Sequence, residues 1–245
     1  MTGTTVGDFY NEPGMEWSLR SVGRHLHPGS EEATVALASR AEAAGFAHGG
    51  VIVEIASALG APARLIARKF SASVVCIDMD RRMHLAAVQA NRDEGLGRVV
   101  QPLLARTERL PLAAASCDGA WSQDALCHMQ KDAVLLEIAR VLKPGALLAF
   151  TDFIGHSSIT AADLDALGRL WAFPSLYGIP RYVASLEAAG FEVLLAEDRT
   201  AAITSTRRGG LPDDDLWWHD FREKWGEAEA QSRLEAGGFW QSLLQ

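Results

Sequence analysis

Cysteine is scarce in this chain. The 245 residues contain three, Cys76, Cys117 and Cys127, scattered and with no CxxC pair, too few for a disulfide framework. A reducing compartment fits that usage, and the cytoplasm is the expected location. Long apolar runs are missing too: none approaches the roughly 20 residues that span a bilayer, and the N-terminus lacks a basic region followed by an apolar stretch. Membrane insertion and secretion are therefore disfavoured. There is no dense Lys/Arg tract, and 23 basic against 31 acidic residues leave a net charge of −8, a surface that repels phosphate backbones. Nucleic acid is not an expected partner; a small molecule is. Asp213-Asp214-Asp215 is a short acidic run that reads as a solvated turn or helix start, and no metal site is expected.

The last shortage is local. In Val51-Ile52-Val53-Glu54-Ile55-Ala56-Ser57-Ala58-Leu59-Gly60 an apolar strand ends at an acid and a turn of small residues leads into a helical segment, the opening of nucleotide-binding α/β folds. Glycine serves such turns because the backbone bends tightly and approaches a ligand closely. Here Ala56 and Ala58 each place a methyl group in that space, and Gly60 alone remains.

What is present supports one substantial core: 48% hydrophobic and 22% charged residues. Strand-like and helix-like segments alternate through the middle of the chain. Val51 to Ile55, Ser73 to Asp78, Val99 to Leu104, Cys117 to Ser122 and Ala146 to Asp152 read as strands, the last following a Lys143-Pro144-Gly145 turn. Ala61 to Phe70, Arg82 to Glu94 and Lys131 to Leu142 read as the intervening helices. The order predicts an α/β fold with a mostly parallel, doubly wound sheet. Ala161 to Trp171 and Ile179 to Ala189 read as further helices, and Phe191 to Ala196 and Ala201 to Thr206 as strands that complete the sheet.

Ligands of parallel sheets sit at the carboxyl ends of the strands, which selects candidates. Asp78, about 20 residues past the loop, is placed to accept hydrogen bonds from ribose hydroxyls; equally, Asp78 or Asp80 suits the cap of the next helix. Arg106, Thr107 and Glu108 follow the third strand, and Gln123, Asp124 and His128 the fourth. His128 suits a general base, a substrate anchor or a hydrogen-bonded structural side chain. Trp171, Phe173 and Tyr177 offer either aromatic faces for a cation or lid packing. Arg181 suits a substrate carboxylate or the surface. Trp217, Trp218 and His219 lie in an exposed-looking C-terminal stretch and offer the same two readings as Trp171, and Trp225, Phe239 and Trp240 would pack the tail either on the body or on a second subunit, the latter giving a homodimer.

Taken together, Glu54 to Arg64, Cys76-Ile77-Asp78, Thr107 to Leu112, Cys117 to Ala125, Glu137 to Gly145 and Phe150-Thr151-Asp152 resemble a class I S-adenosylmethionine-dependent methyltransferase, type 11, of the sarcosine/dimethylglycine N-methyltransferase kind. The resemblance implies one domain over residues 1–245: a helical N-terminal cover over 1–48, a cofactor-binding core over 49–152, and sheet completion with a substrate cap over 153–245. It implies S-adenosylmethionine as methyl donor to a small polar molecule. Glu54, Ala56, Ser57, Gly60 and Arg64 would surround the methionine portion, Asp78 and Met79 the ribose, Arg106 and Thr107 the adenine, and Gln123 the reactive methyl. Asp124 and His128 would be catalytic. Tyr10 and His27, in an entry segment like that of such enzymes, would meet the substrate, as would Trp171, Tyr177 and Arg181. Ala56, Ala58 and Arg106 depart from the family pattern. They leave open another donor, a folate or other anionic cofactor, or elimination, isomerisation or dehalogenation. Arg106 has a further outlet, turning to solvent to pair with Glu108 or Glu137.

Overall fold

The computed structural model describes residues 6–10, 25–27, 29–204 and 215–231. Two short N-terminal pieces come first: helix α1 (Val6–Phe9) and, after residues 25–27, helix α2 (Ser30–Ala43). The core then alternates β1 (Val51–Ile55), α3 (Ala61–Phe70), β2 (Ser73–Asp78), α4 (Arg81–Asp93), β3 (Val100–Leu104), β4 (Cys117–Gln123), a single 3-10 turn at Leu126–His128, α5 (Lys131–Val141) and β5 (Leu142–Thr151). Helices α6 (Ala161–Leu170), α7 (Ile179–Ala188), α8 (Thr200–Thr204) and α9 (Asp215–Trp225) follow.

All five strands are parallel, in the order β3-β2-β1-β4-β5. The central strands β1 and β4 and much of β2 are buried on both faces, as a covered parallel sheet requires, while the edge strands β3 and β5 are partly exposed. One face packs Ile52, Ile66, Phe70 and Trp121 with Phe46, and the other packs Val53, Ile55, Leu135, Ile138 and Leu186. Gly119 of β4 matters here, because a Cβ at that position would stand 2.7 Å from the Phe46 ring. Pairing Ile55 with Ile77 and Ser122 brings the carboxyl ends of β1, β2 and β4 level. The strand order reverses between β1 and β4, the place where such sheets open a ligand crevice.

The C-terminal third departs from expectation. β5 starts at Leu142, ahead of the Lys143-Pro144-Gly145 turn, and absorbs that turn as a register shift against Cys117 and Gly119 of β4. Residues 191–196 form no strand. Phe191 and Val193 reach the core, but Leu194 and Leu195 are more than half exposed, and Arg40 of α2 holds the segment through Glu197 at 2.9 Å. A strand needs a backbone neighbour about 4.8 Å away to pair with, and no described strand pairs with this segment. Thr200–Thr204 is a helix rather than a strand, started by the Asp198 carboxylate accepting the Thr200 N–H at 2.9 Å. The sheet is therefore not completed after residue 153 among the described residues, where a lone Ile154 to Tyr177 bridge is the remaining strand-like contact. Asp213, Asp214, Phe239 and Trp240 lie outside the described residues, as do Pro28 and the side chains of Asp215, Trp217 and Trp218. No described helix is long and apolar enough to cross a membrane.

Candidate functional site

A cavity of about 1520 Å³ opens at the carboxyl ends of the strands, from the loop after β1 to the outer edge of β5. Small-molecule pockets usually measure about 300–1,000 Å³, so this one has room for two ligands side by side.

The altered loop forms its first wall. Ala56 (φ 51°), Ala58 (φ 45°) and Gly60 (φ 68°) all adopt the left-handed conformation. The glycine geometry is thus retained at 56 and 58 without glycine. Internal bonds hold it: Ser57 N donates to the Ile77 carbonyl at 2.9 Å, Gly60 N to the Ser57 carbonyl at 2.7 Å, and Ala58 N to Asp78 Oδ2 at 2.8 Å. Each alanine costs about 1–2 kcal/mol in this region. Replacing it with glycine returns part of that to unfolded-chain entropy, about 0.4–1 kcal/mol. Ala56→Gly and Ala58→Gly are each expected to stabilise the fold by about 0.5–1 kcal/mol, a net gain measured by urea unfolding. Unchanged or lower stability in both would contradict the strain.

Glu54 projects from β1 into the cavity, 2% exposed, and its Oε2 has no hydrogen-bond partner. Burial pushes its carboxyl up to about 8, although Arg64 opposes the shift. Arg64 itself is misplaced by the sequence reading. It lies behind the loop rather than on the cavity, with its guanidinium bonded to the Leu59 carbonyl at 2.7 Å, Asn91 Oδ1 at 3.2 Å and Glu94 at 2.8 Å. It braces the turn in which alanine stands at 56 and 58. Gly60 likewise caps α3 and stays off the cavity wall.

Asp78, Met79 and Thr107 line the neighbouring stretch at the ends of β2 and β3. The Asp78 oxygens accept from Ala58 N and from Asp80 N at 2.8 Å each, so one carboxylate ties the two loops together and keeps lone pairs for a ligand. The helix cap belongs to Asp80, which accepts from Arg82 N at 2.7 Å. Arg106 borders the cavity but is 67% exposed and pairs with Glu108 at 3.1 Å. It faces solvent, not an anionic ligand.

The end of β4 carries the densest polar group. Gln123 accepts from Trp121 Nε1 at 3.0 Å through Oε1 and leaves a buried Nε2 without a partner. Asp124 follows at φ 49°, a conformation that turns the chain sharply at the strand end. Burial pushes its carboxyl up to about 7. His128 is lowered to about 4 by burial and is neutral. Its Nδ1 lies 3.4 Å from the Ala172 carbonyl; a carbonyl only accepts, so Nδ1 carries the proton. The Tyr10 and Phe173 rings stand edge-on to His128, with centroids 6.2 and 5.0 Å away.

Sequence reasoning gave no role to three residues that the structure places here. Asp152, at the end of β5, accepts from Cys127 N at 2.9 Å and from the Tyr182 hydroxyl, and burial pushes it up to about 7. Tyr182 lines the same wall. His25, with His27 and Thr34, forms a buried trio on the cavity side of α2, with Thr34 Oγ1 3.0 Å from His27 Nε2 and 3.3 Å from His25 Nδ1. The strand-end rule marks Asp152 in retrospect; nothing in the local sequence marks Tyr182. Two expected substrate residues are corrected. Tyr177 does not line the cavity: its ring packs on Tyr182 and lies under Lys131 and Arg181. Arg181 is exposed and bonded to Asp132 at 2.7 Å. Trp171 does line it.

Comparison with known proteins follows this layout. The family described as "Methyltransferase domain" matches residues 53–150, from β1 to β5. Methyltransferase GfsG of Streptomyces halstedii is 31% identical over 193 residues, which are 77% of this chain and 68% of that protein. The chain belongs to the methyltransferase family. This methyltransferase is also 32% identical over 154 residues to the dimethylglycine N-methyltransferase of Parasynechococcus marenigrum, covering 62% of the chain but 55% of that relative. Its fold matches Haemonchus contortus phosphoethanolamine N-methyltransferase 2, solved with phosphomonomethylethanolamine and S-adenosylhomocysteine. The TM-score is 0.75 at 19% identity, over 97% of this chain and 54% of that one. The methyltransferase thus spans about half to two thirds of the length of these proteins.

Proposed function

We propose that the chain transfers a methyl group from S-adenosylmethionine to a small molecule bound beside Asp124 and His128. The observation that carries this reading is Glu54 Oε2, a buried carboxylate oxygen without a partner, on the same wall as Gln123 Nε2, a buried donor without one. Unpaired buried polar atoms are costly. Their chemistry fits this ligand: the carboxylate suits its ammonium group, and Asp78 suits its ribose hydroxyls. The donor supplies a methyl already activated on a sulfonium, so the acceptor gains that methyl, a neutral thioether is left, and the acceptor's proton needs a base.

The protein's part is alignment and proton transfer. Asp124, held near 7, takes the proton at neutral pH and returns it to solvent. Neutral His128 lines the same end of the cavity and helps to hold the acceptor in place there. Lys131, 1% exposed, fixes the loop that closes this end by donating to the Ser175 carbonyl at 2.7 Å. The chain acts as one unit in which the N-terminal residues cover the cavity; the Tyr10 contacts with His128 and with Arg82, whose guanidinium donates to the Tyr10 carbonyl, support that role.

A thermal-shift comparison tests the donor. S-adenosylhomocysteine is expected to raise the melting temperature and 5-methyltetrahydrofolate to leave it unchanged; the opposite pattern would replace the donor.

A further inference from the structure

We infer that the methyl acceptor is an amine or alcohol carried on a largely apolar body, and not a carboxylate- or phosphate-bearing molecule; the inference rests on the methyl-transfer reading above. The wall beyond Asp124 and His128 is built from Phe153, Ile154, Trp171, Phe173, Val183 and Leu186. Phe153 and Phe173 stack with centroids 5.4 Å apart, and Phe173 continues onto the His128 ring at 5.0 Å. The acids there are Asp124 and Asp152, and Asp152 is already engaged by the Tyr182 hydroxyl and the Cys127 N–H. Asp124, whose neighbour is the Thr151 hydroxyl, keeps lone pairs to receive a hydrogen from the acceptor.

An anionic acceptor requires a cation on the cavity wall at this end, and none of the described residues that line it there is one. The cavity's described basic side chains, apart from histidines, are Arg40, Arg81, Arg82, Arg106 and Arg199. Arg81 and Arg82 follow β2 and Arg106 follows β3, two and three strand positions from β4, or about 10 and 15 Å at the usual spacing. Arg82 is engaged by Asp80 at 2.9 Å and Arg106 by Glu108. Arg40 and Arg199 sit at the other extreme, past β5, both on Glu197 at 2.9 and 3.9 Å. Lys131 stands behind this wall, close enough to act on Asp152 and His128, but does not line the cavity and donates to the Ser175 carbonyl; Arg181 is outside on Asp132. Among the described residues, a carboxylate or phosphate placed here would meet two acids and a set of aromatic rings, with no lining cation to offset its lost hydration. An apolar body loses nothing by that burial, and its N–H or O–H finds Asp124.

The test uses the full chain saturated with S-adenosylhomocysteine, whose own binding is measured first so that failure of the donor reading shows separately. Methyl(decyl)amine, decanol, dimethylglycine and phosphoethanolamine are then titrated, and each is also incubated with S-adenosylmethionine and examined for a methylated product by mass spectrometry. The amine or the alcohol is expected to bind at least tenfold more tightly than either anion and to be methylated, and which of the two reacts identifies the acceptor atom. Preferred binding or methylation of dimethylglycine or phosphoethanolamine overturns the inference. Failure of both apolar compounds to bind overturns it as well. Introducing an arginine by Val183→Arg is expected to weaken the apolar compounds more than tenfold while leaving S-adenosylhomocysteine binding within twofold, and an unchanged preference contradicts the placement of this wall.

Discussion

Asp124→Asn is expected to lower kcat by about two to four orders of magnitude, the usual contribution of a positioned general base, while S-adenosylhomocysteine binds within a few-fold of wild type. The substitution is well controlled. Residue 124 sits at φ 49°, where asparagine is among the best tolerated side chains. The amide keeps the carboxyl's shape and removes its ability to take a proton. Because the carboxyl is held up to about 7, the wild-type rate should rise with pH through that value, as a base must be deprotonated to act. The variant should lose that limb. A near-normal kcat in the Asp124→Asn enzyme would remove Asp124 from the chemistry and leave alignment as the protein's whole contribution.

Glu54→Gln has the largest expected effect on binding, a 10- to 100-fold loss of S-adenosylhomocysteine affinity, about the worth of a charge-assisted hydrogen bond. It also has an opposite effect on stability. Glu54 is raised from 4.5 to about 8 in the folded protein, so the folded state keeps a proton that the unfolded chain has released. Stability must fall as pH rises from about 4.5 through 8. Asp124 and Asp152, raised from 3.8 to about 7, act in the same direction. His25 and His128, lowered to about 4, act in the other and add stability as pH rises from about 4 to 6.5. The ligand-free protein should therefore be most stable in mildly acidic solution. Glu54→Gln should flatten the decline above pH 7, as followed by urea unfolding at several pH values. A decline as steep as wild type would show that Glu54 is not the buried acid responsible.

The sheet was legible because β1 and β2 are short β-branched runs closed by turn signals, the form in which buried parallel strands are written, and β3, β4 and β5 are short apolar stretches alternating with helical segments. Strand ends then led directly to Glu54, Asp78, Gln123, Asp124 and His128, since topology alone carries them to one edge. Arg64 and Arg181 misled for a common reason. A guanidinium can reach about equally well toward a ligand or toward a local carboxylate, and Glu94 and Asp132, which capture them, are neighbours in space and not in sequence. Tyr182 was invisible because its role depends on α7 docking against β5, which local pattern does not encode. The two missing strands reflect a limit of periodicity: Phe191 and Val193 alternate inward as a strand would, but pairing requires an adjacent backbone, and no described strand pairs with them. The loop alanines were legible as a departure, while their sign was not. Only the backbone angles show that the left-handed turn persists under strain, so the loop keeps a ligand-binding shape without glycine at 56 and 58.

Calorimetric titration of S-adenosylhomocysteine at pH 7, in two buffers of different ionisation enthalpy, tests the central claim that this strained loop and Glu54 hold the cofactor. The account predicts saturable binding with release of close to one proton, because Glu54 is mostly protonated in the free protein and charged beside the ligand's ammonium group. Absence of binding heat at millimolar ligand, or binding with no buffer dependence in either direction, would contradict it.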